Sequence, residues 1–255
     1  AVYTDTQQKQ ISLLNKHSDH KFEYHSVLDV KSYLKLNRFN VFSSITPDDC
    51  QHGEVVSRQA CTTEWADFIL QNKKISNVYN GIASSAHEAF RSNGSLQFKL
   101  KKRPDKLITR GLKLLQRFGI LTSTDDFSSV EFADEDTMRY MAGLWLEEYC
   151  YLAAVNAGIE HVAMSVEGEW LKASSTKEGN SFNEIDLILV HNNHILIIEV
   201  KSADLAKSKS GQDVVHKLDA LHSKLGGLHA QGRLISLRTL DESTQDRLRT
   251  IKSLN

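Results

Sequence analysis

The sequence predicts an α+β / α/β chain: a winged-helix-like helical N-terminal region, then a core in the order α-β-β-β-α-β. Three observations carry this. Residues 185–190 and 195–200 are apolar, β-branched runs joined by His191-Asn192-Asn193, the pattern of a β-hairpin. Residues 134–157 and 211–225 repeat apolar side chains at helical spacing on either side of it. Upstream, a helix over 104–118 is followed by two short strand-like runs, 120–122 and 130–132.

At 255 residues the chain holds one large domain or two smaller ones. Its 40% hydrophobic and 25% charged content is ordinary for a soluble globular protein. A formal net charge of -1 does not advertise nucleic acid, although the total averages over the surface and a local basic groove is compatible with it. Cys50, Cys61 and Cys150 are odd in number, far apart and without a CxxC pair. They point to a reducing, cytoplasmic setting, and against a disulfide framework or a zinc site. No apolar run is long enough to cross a membrane and no signal peptide is evident, so the Asn93-Gly94-Ser95 sequon carries no glycosylation expectation. The chain opens at Ala1 on a strand-like Ala-Val-Tyr-Thr with no Met, which suggests a piece of something longer.

Residues 1–25 read as a hairpin, strands 1–4 and 10–14 around polar 5–9. Two strands alone are marginal, so this hairpin is expected to be the remnant of an upstream domain. The linker region, 26–133, begins with a helix over 26–36, on which Val27, Val30, Tyr33 and Leu34 share a face. Residues 40–50, with Pro47, are expected to form a turn-rich connector. Helices are expected over 57–72 and 75–90, with a break at 92–95 and a short strand at 97–101. In the helix over 104–118, Pro104 suits the first turn, Leu107, Leu114, Leu115 and Phe118 are its apolar face, and Gly119 is placed to cap it. A helical unit ending in a small hairpin is winged-helix-like and often binds DNA; a packing spacer is the plainer alternative. Lys106, Arg110, Lys113 and Arg117 lie on the supporting helix.

The core, 134–255, begins with a long helix N-capped by Asp134 and stopped by Gly158. Met141, Trp145, Leu152 and Val155 make its apolar stripe, and Glu147 and Glu148 lie in its most apolar turn. One of the two must face inward or lie at the border. Strands follow over 160–166, 183–190 and 194–201, with a polar loop at 172–180. A helix over 211–225, with Val214, Leu218, Leu221 and Leu225 inward, ends at Gly226-Gly227; a strand over 233–237 and a helix over 240–254 complete the chain.

The hairpin is apolar enough to be buried on both faces, yet it carries Asp186, Glu199 and Lys201. Glu199 and Lys201, two apart, project from one face of their strand. Buried charges without partners are costly, so these three need each other, a metal or water. Two carboxylates offer hard oxygens suited to Mg²⁺ or Mn²⁺, with the Val200 carbonyl as a further ligand and a helix carboxylate to complete the set. Such an ion polarises a phosphodiester, acidifies a bound water and stabilises the leaving oxygen. Lys201 would offset developing charge or orient the water. Glu-x-Lys alone is common, and a structural pair at a sheet edge is the plainer reading of it. His191 and His194 lie across a turn and read as surface histidines.

A glutamate on a helix, then Asp186, then Glu199-Val200-Lys201 on a hairpin, in this element order, resembles the PD-(D/E)xK nuclease superfamily, with Ile185 in place of the proline. A narrower resemblance is to the CARF-domain nucleases of type III CRISPR defence, the Card/Can group. It rests on Gly143-Leu-Trp-Leu-Glu147, Asn183-Glu-Ile-Asp186, His194-Ile-Leu-Ile-Ile-Glu-Val-Lys201, Lys217-Leu218, Leu225-Gly-Gly-Leu-His-Ala230 and Leu234-Ile-Ser-Leu-Arg238. The resemblance implies a restriction-endonuclease-like core preceded by a winged-helix-like segment and a CARF domain, of which only residues 1–25 are expected here. It implies Glu147, rather than Glu148, with Asp186, Glu199 and Lys201 as catalytic residues, and Glu147, Asp186, Glu199 and Val200 as metal ligands. Glu184, Lys207, Lys209 and Lys217 are weaker candidates for nucleic-acid contact. It further implies a cytoplasmic homodimer cutting single-stranded or flexible DNA, RNA or both, with cyclic oligoadenylate acting only through the CARF domain and no membrane association. The alternative is an inactive nuclease-fold module that binds nucleic acid or mediates dimerisation.

Overall fold

The computed structural model describes residues 2–5, 10–14, 21–24, 29–124, 126–171, 182–191, 194–205, 210–225 and 230–251. Residues 2–24 hold three antiparallel strands, β1 (Val2–Asp5), β2 (Gln10–Leu14) and β3 (Lys21–Tyr24), one more than the expected hairpin. The helix α1 (Val30–Leu36) follows, N-capped by Asp29, whose carboxylate accepts from the Ser32 N–H at 2.7 Å.

Residues 40–50 are not a connector. They supply most of β4 (Phe39–Ile45) and the start of α2 (Cys50–Ser57). β4 is an edge strand with two register shifts against its neighbour, and only Phe39 and Ser44 in it are buried. Its sequence therefore lacks the alternation that marks a strand.

The helices α3 (Gln59–Gln71) and α4 (Ser76–Asn93), the strand β5 (Gln97–Lys99), the helix α5 (Lys106–Arg117) and the strands β6 (Leu121–Ser123) and β7 (Ser129–Phe132) come next. The three strands form a small sheet in the order β5-β7-β6. Gly94 caps α4 in the left-handed region, at φ 73°, where glycine has no Cβ to clash.

The long helix expected over 134–157 is broken. It consists of α6 (Glu135–Arg139), a π turn over Tyr140–Leu144, and α7 (Trp145–Asn156). A Cβ on Gly143 would come within 2.8 Å of the Ser202 Oγ, so the bend brings the end of a strand against the helix backbone. Then come β8 (His161–Trp170), β9 (Phe182–His191), β10 (His194–Lys201), α8 (Ser210–Leu225), β11 (Ala230–Ser236) and α9 (Glu242–Thr250). The loop at 172–180 and Gly226-Gly227 lie outside the described residues.

Five strands pair in the order β11-β10-β9-β8-β4, with β10 and β11 parallel and the other pairs antiparallel. Both faces of this mixed sheet are covered. Val162, Met164, Leu187, Leu189, Ile198 and Val200 pack into one core with the helical region and α7. Ala163, Ile185, Ile188, Ile195 and Ile197 pack into another with Val30 and Leu34 of α1 and Val215, Leu218, Leu221 and Leu225 of α8. Residues 30–45 are thus built into the sheet of the C-terminal half.

Candidate active site

The antiparallel ladder between β9 and β10 ends at the pair Leu187–Ile198, one residue short of Asp186 and Glu199. In place of a ladder bond, the Val200 N–H donates to Asp186 Oδ2 at 2.7 Å. Asp186 and Glu199 are 3% and 2% exposed, so their charges must be met inside the protein. Lys201 meets both. Its ammonium is 2.8 Å from Asp186 Oδ2 and 2.7 Å from Glu199 Oε1, and it donates to the Val200 carbonyl at 3.0 Å. Three of the four groups expected to bind a metal, all but Glu147, therefore converge on one cation. Lys217, from α8, closes the other side, donating to both Glu199 oxygens at 3.0 and 2.9 Å. Burial works against the Lys201 charge, but Asp186 and Glu199 hold its pKa above the ordinary lysine value.

Glu147 comes from α7, on the opposite layer of the sheet. It lines a cleft of about 320 Å³ with Arg139, Gly143, Glu184, Val200 and Lys201. Burial, then the nearby Asp186 charge, push its carboxyl up to about 8, with Lys201 pulling the other way. Glu148, the next residue, points elsewhere. It is 1% exposed, paired with the Arg58 guanidinium, and accepts from Thr62 Oγ1 at 3.2 Å.

The structure thus brings Asp186, Glu199, Lys201, Lys217 and the Val200 carbonyl together, with Glu147 and Glu184 on the adjoining cleft. It does not bring Glu147, Asp186 and Glu199 into one trio: among the described residues no three His, Cys, Asp or Glu side chains are grouped to hold an ion. Lys207 and Lys209 lie outside the described residues. Three contributors escaped the sequence reading. Ser202, directly after Lys201, donates to the Ala142 carbonyl and accepts from Asn80 Nδ2, both at 3.3 Å, tying the end of β10 to the π turn and α4. Arg139 brings a cation to the cleft. Arg58 holds α7 through Glu148. Arg58 and Asn80 lie far upstream in sequence, so no local motif marks them.

A mixed sheet covered on both faces, with two carboxylates and a lysine where a hairpin splays open, is consistent with a nuclease-like core. Residues 134–253 match the family model described as Card1-like, endonuclease domain. The whole fold is similar to that of protein VC1899 from Vibrio cholerae, with a TM-score of 0.73 and 19% identity over 99% of this chain and 63% of that one. It is also similar to Can2 from Sulfobacillus thermosulfidooxidans, solved in complex with cyclic tetra-adenylate, with a TM-score of 0.61 and 18% identity over 99% of this chain and 62% of that one. The chain thus spans less than two thirds of either structure, and at these identities the likeness is one of fold. No curated protein matches the chain in sequence. No helix among the described residues is long and apolar enough to cross a membrane.

Proposed function

We propose that this protein is a divalent-metal-dependent endonuclease hydrolysing phosphodiester bonds of DNA, RNA or both, with Glu147, Asp186, Glu199 and Lys201 as its working residues. The observation that carries the reading is the cradle of Asp186 Oδ2, Glu199 Oε1 and the Val200 carbonyl around a single cation, in a segment that matches a Card1-like endonuclease domain model. The donors fit a hard ion: all are oxygens, two are carboxylates, and both carboxylates are buried. Asp186, Glu199 and Val200 would hold Mg²⁺ or Mn²⁺, with Glu147 on the adjoining cleft that Val200 also lines; the ion would supply charge on the phosphoryl oxygens and a water of lowered pKa.

The chain's own groups do the rest. The Val200 N–H and Lys217 fix the orientations of Asp186 and Glu199, so the oxygens are aimed before substrate arrives. Lys201 sets a positive charge beside the scissile phosphate, where it offsets the charge building on the phosphorane and orients the attacking water. Arg139, which lines the cleft, would hold a neighbouring phosphate.

For the whole protein, the cyclic tetra-adenylate bound by Can2 supports a role as a cyclic-oligoadenylate-activated effector of type III CRISPR defence, which we propose acts as a homodimer. The helical region with its small sheet serves as the winged-helix-like element between sensor and nuclease. The experiment is cleavage of labelled single strands and of plasmid over a Mn²⁺ and Mg²⁺ titration, with a chelator arm. Cleavage that rises with the metal and stops with chelator is expected; cleavage indifferent to chelator would overturn metal dependence. No cleavage, with retained salt-sensitive binding, would favour a nucleic-acid-binding module instead.

A further inference from the structure

Residues 101–117 hold seven of the chain's 31 Lys and Arg residues and one of its 32 Asp and Glu. Outside this stretch the acids outnumber the bases by 31 to 24, so the stretch is locally basic in a chain of net charge -1. All seven side chains are exposed. Lys106, Arg110, Lys113 and Arg117 follow one another at steps of four, three and four, which places them along one face of α5. The opposite face buries Leu112 and Leu115. Asp105 caps α5, accepting from the Leu107 and Ile108 N–H groups at 2.8 Å each.

The stripe borders a hollow. Arg103, Lys106, Arg110 and Lys113 line an indentation of about 600 Å³ together with Thr109 and Asp126. Asp126 is the one acid among the described residues lining it, and its carboxylate is already engaged by the Thr124 hydroxyl and the Ser128 N–H, both at 2.9 Å. Arg110 and Lys113 lie over the rings of Phe68 and Phe127, at 5.9 Å from each centroid, which spreads them to the two flanks of α5. On the other flank Glu64 and Asp67 line a groove with Arg110, Lys113 and Arg117, and Arg117 pairs with Glu64, so the face open to a polyanion is the one of Arg103, Lys106, Arg110 and Lys113.

We infer that this hollow and the α5 stripe form an exosite for the phosphodiester backbone of a nucleic-acid strand, separate from the cleft of Glu147 and Lys201. Like-charged side chains set about one turn apart repel each other in the free protein, and a polyanion with regularly spaced phosphates relieves that repulsion while releasing its own counterions. The contacts carry no base information, so the exosite binds by backbone and holds a strand near the nuclease without selecting its sequence. This rests on the nuclease reading only for the purpose of the binding, not for the binding itself.

The test is fluorescence anisotropy of labelled 30-nucleotide single-stranded DNA, single-stranded RNA and duplex DNA, in chelator so that nothing is cut, across a salt series. The proteins compared are the parent, the triple variant Lys106→Ser, Arg110→Ser, Lys113→Ser, and the charge-keeping variant Lys106→Arg, Lys113→Arg. The triple variant is expected to bind at least tenfold more weakly, with a log–log salt slope shallower by about 2 to 3, the loss expected of three phosphate contacts. The charge-keeping variant should bind as the parent does. The difference between the DNA and RNA arms identifies the strand held. A triple variant with parental affinity and slope would overturn the inference, as would a parent that binds vesicles of anionic phospholipid more tightly than any of the three strands. Initial cleavage rates over a substrate series, run with metal on the same proteins, report on the nuclease reading separately: the exosite predicts a raised KM for the triple variant.

Discussion

Glu147 and Glu148 are consecutive on α7 and meet opposite environments, because successive helical residues point about a quarter turn or more apart. Glu147 faces the cleft, while Glu148 is buried against Arg58 and Thr62. Glu148 therefore anchors the rotation of α7, and Glu147 is aimed by it. Arg58→Ala would leave a buried carboxylate without its cation, so a loss of about 3–5 kcal/mol is expected, read from the shift of the denaturant midpoint. A loss below about 1 kcal/mol would mean the pair is not the anchor. Asp126 offers a milder test at the tip between β6 and β7. Hydrogen bonds from the Ser128 N–H and the Ser128 and Thr124 hydroxyls hold its carboxyl down to about 2. A carboxyl depressed in the folded state stabilises above its unfolded value and loses that contribution as pH falls, here between about 4 and 2. Carboxyl-carbon NMR should find Asp126 still ionised at pH 3, and Asp126→Asn should flatten that part of the acid limb; a half-titration near 4 would show the tip hydrogen bonds absent in solution.

At the level of elements, the β9–β10 hairpin was legible because its β-branched runs are long and its charges are anomalous. Asp186, Glu199 and Lys201 stood out from sequence for that reason, and they are in contact. The bend before α7 was not legible, since Gly143 sits in a run that otherwise keeps helical spacing. β4 was not legible either: an edge strand with two register shifts and an exposed Phe42 reads like a loop. Two glycines test these elements. Gly143→Ala must displace the Ser202 Oγ, which a Cβ would meet at 2.8 Å. That loosens the tie between β10 and the π turn beside Lys201, and about 1–3 kcal/mol of destabilisation is expected by thermal or denaturant unfolding. Gly168→Ala would drive a Cβ into the Asn40 carbonyl and the Phe39 ring, so β4 should detach from β8. Hydrogen exchange would show this as lost protection confined to β4 and the facing part of β8, and unchanged protection would contradict the close approach.

Across the whole molecule, one sheet divides two cores, and the site lies where the layers meet at the open end of the β9–β10 ladder. Asp186 and Glu199 are served by α8 through Lys217, and Glu147 by α7, so neither layer alone completes the constellation. The helical region reaches it twice, through Arg58 to Glu148 and through Asn80 to Ser202. These long-range ties join residues about 90 and 122 positions apart, and no local pattern in a single sequence marks them. They tie the helical region physically to the residues of the candidate site. The central claim is that the cradle built by Asp186, Glu199 and Val200 performs phosphodiester hydrolysis. The most direct measurement is cleavage of a labelled single strand in Mn²⁺ by the parent and by Glu199→Ala, with folding of both checked by unfolding midpoint. Cleavage by the parent and its loss by 10²-fold or more in a folded Glu199→Ala protein is the result expected of a group acting on the transition state, on the order of the loss seen when one such stabilising group is removed; equal cleavage by the two proteins would contradict it.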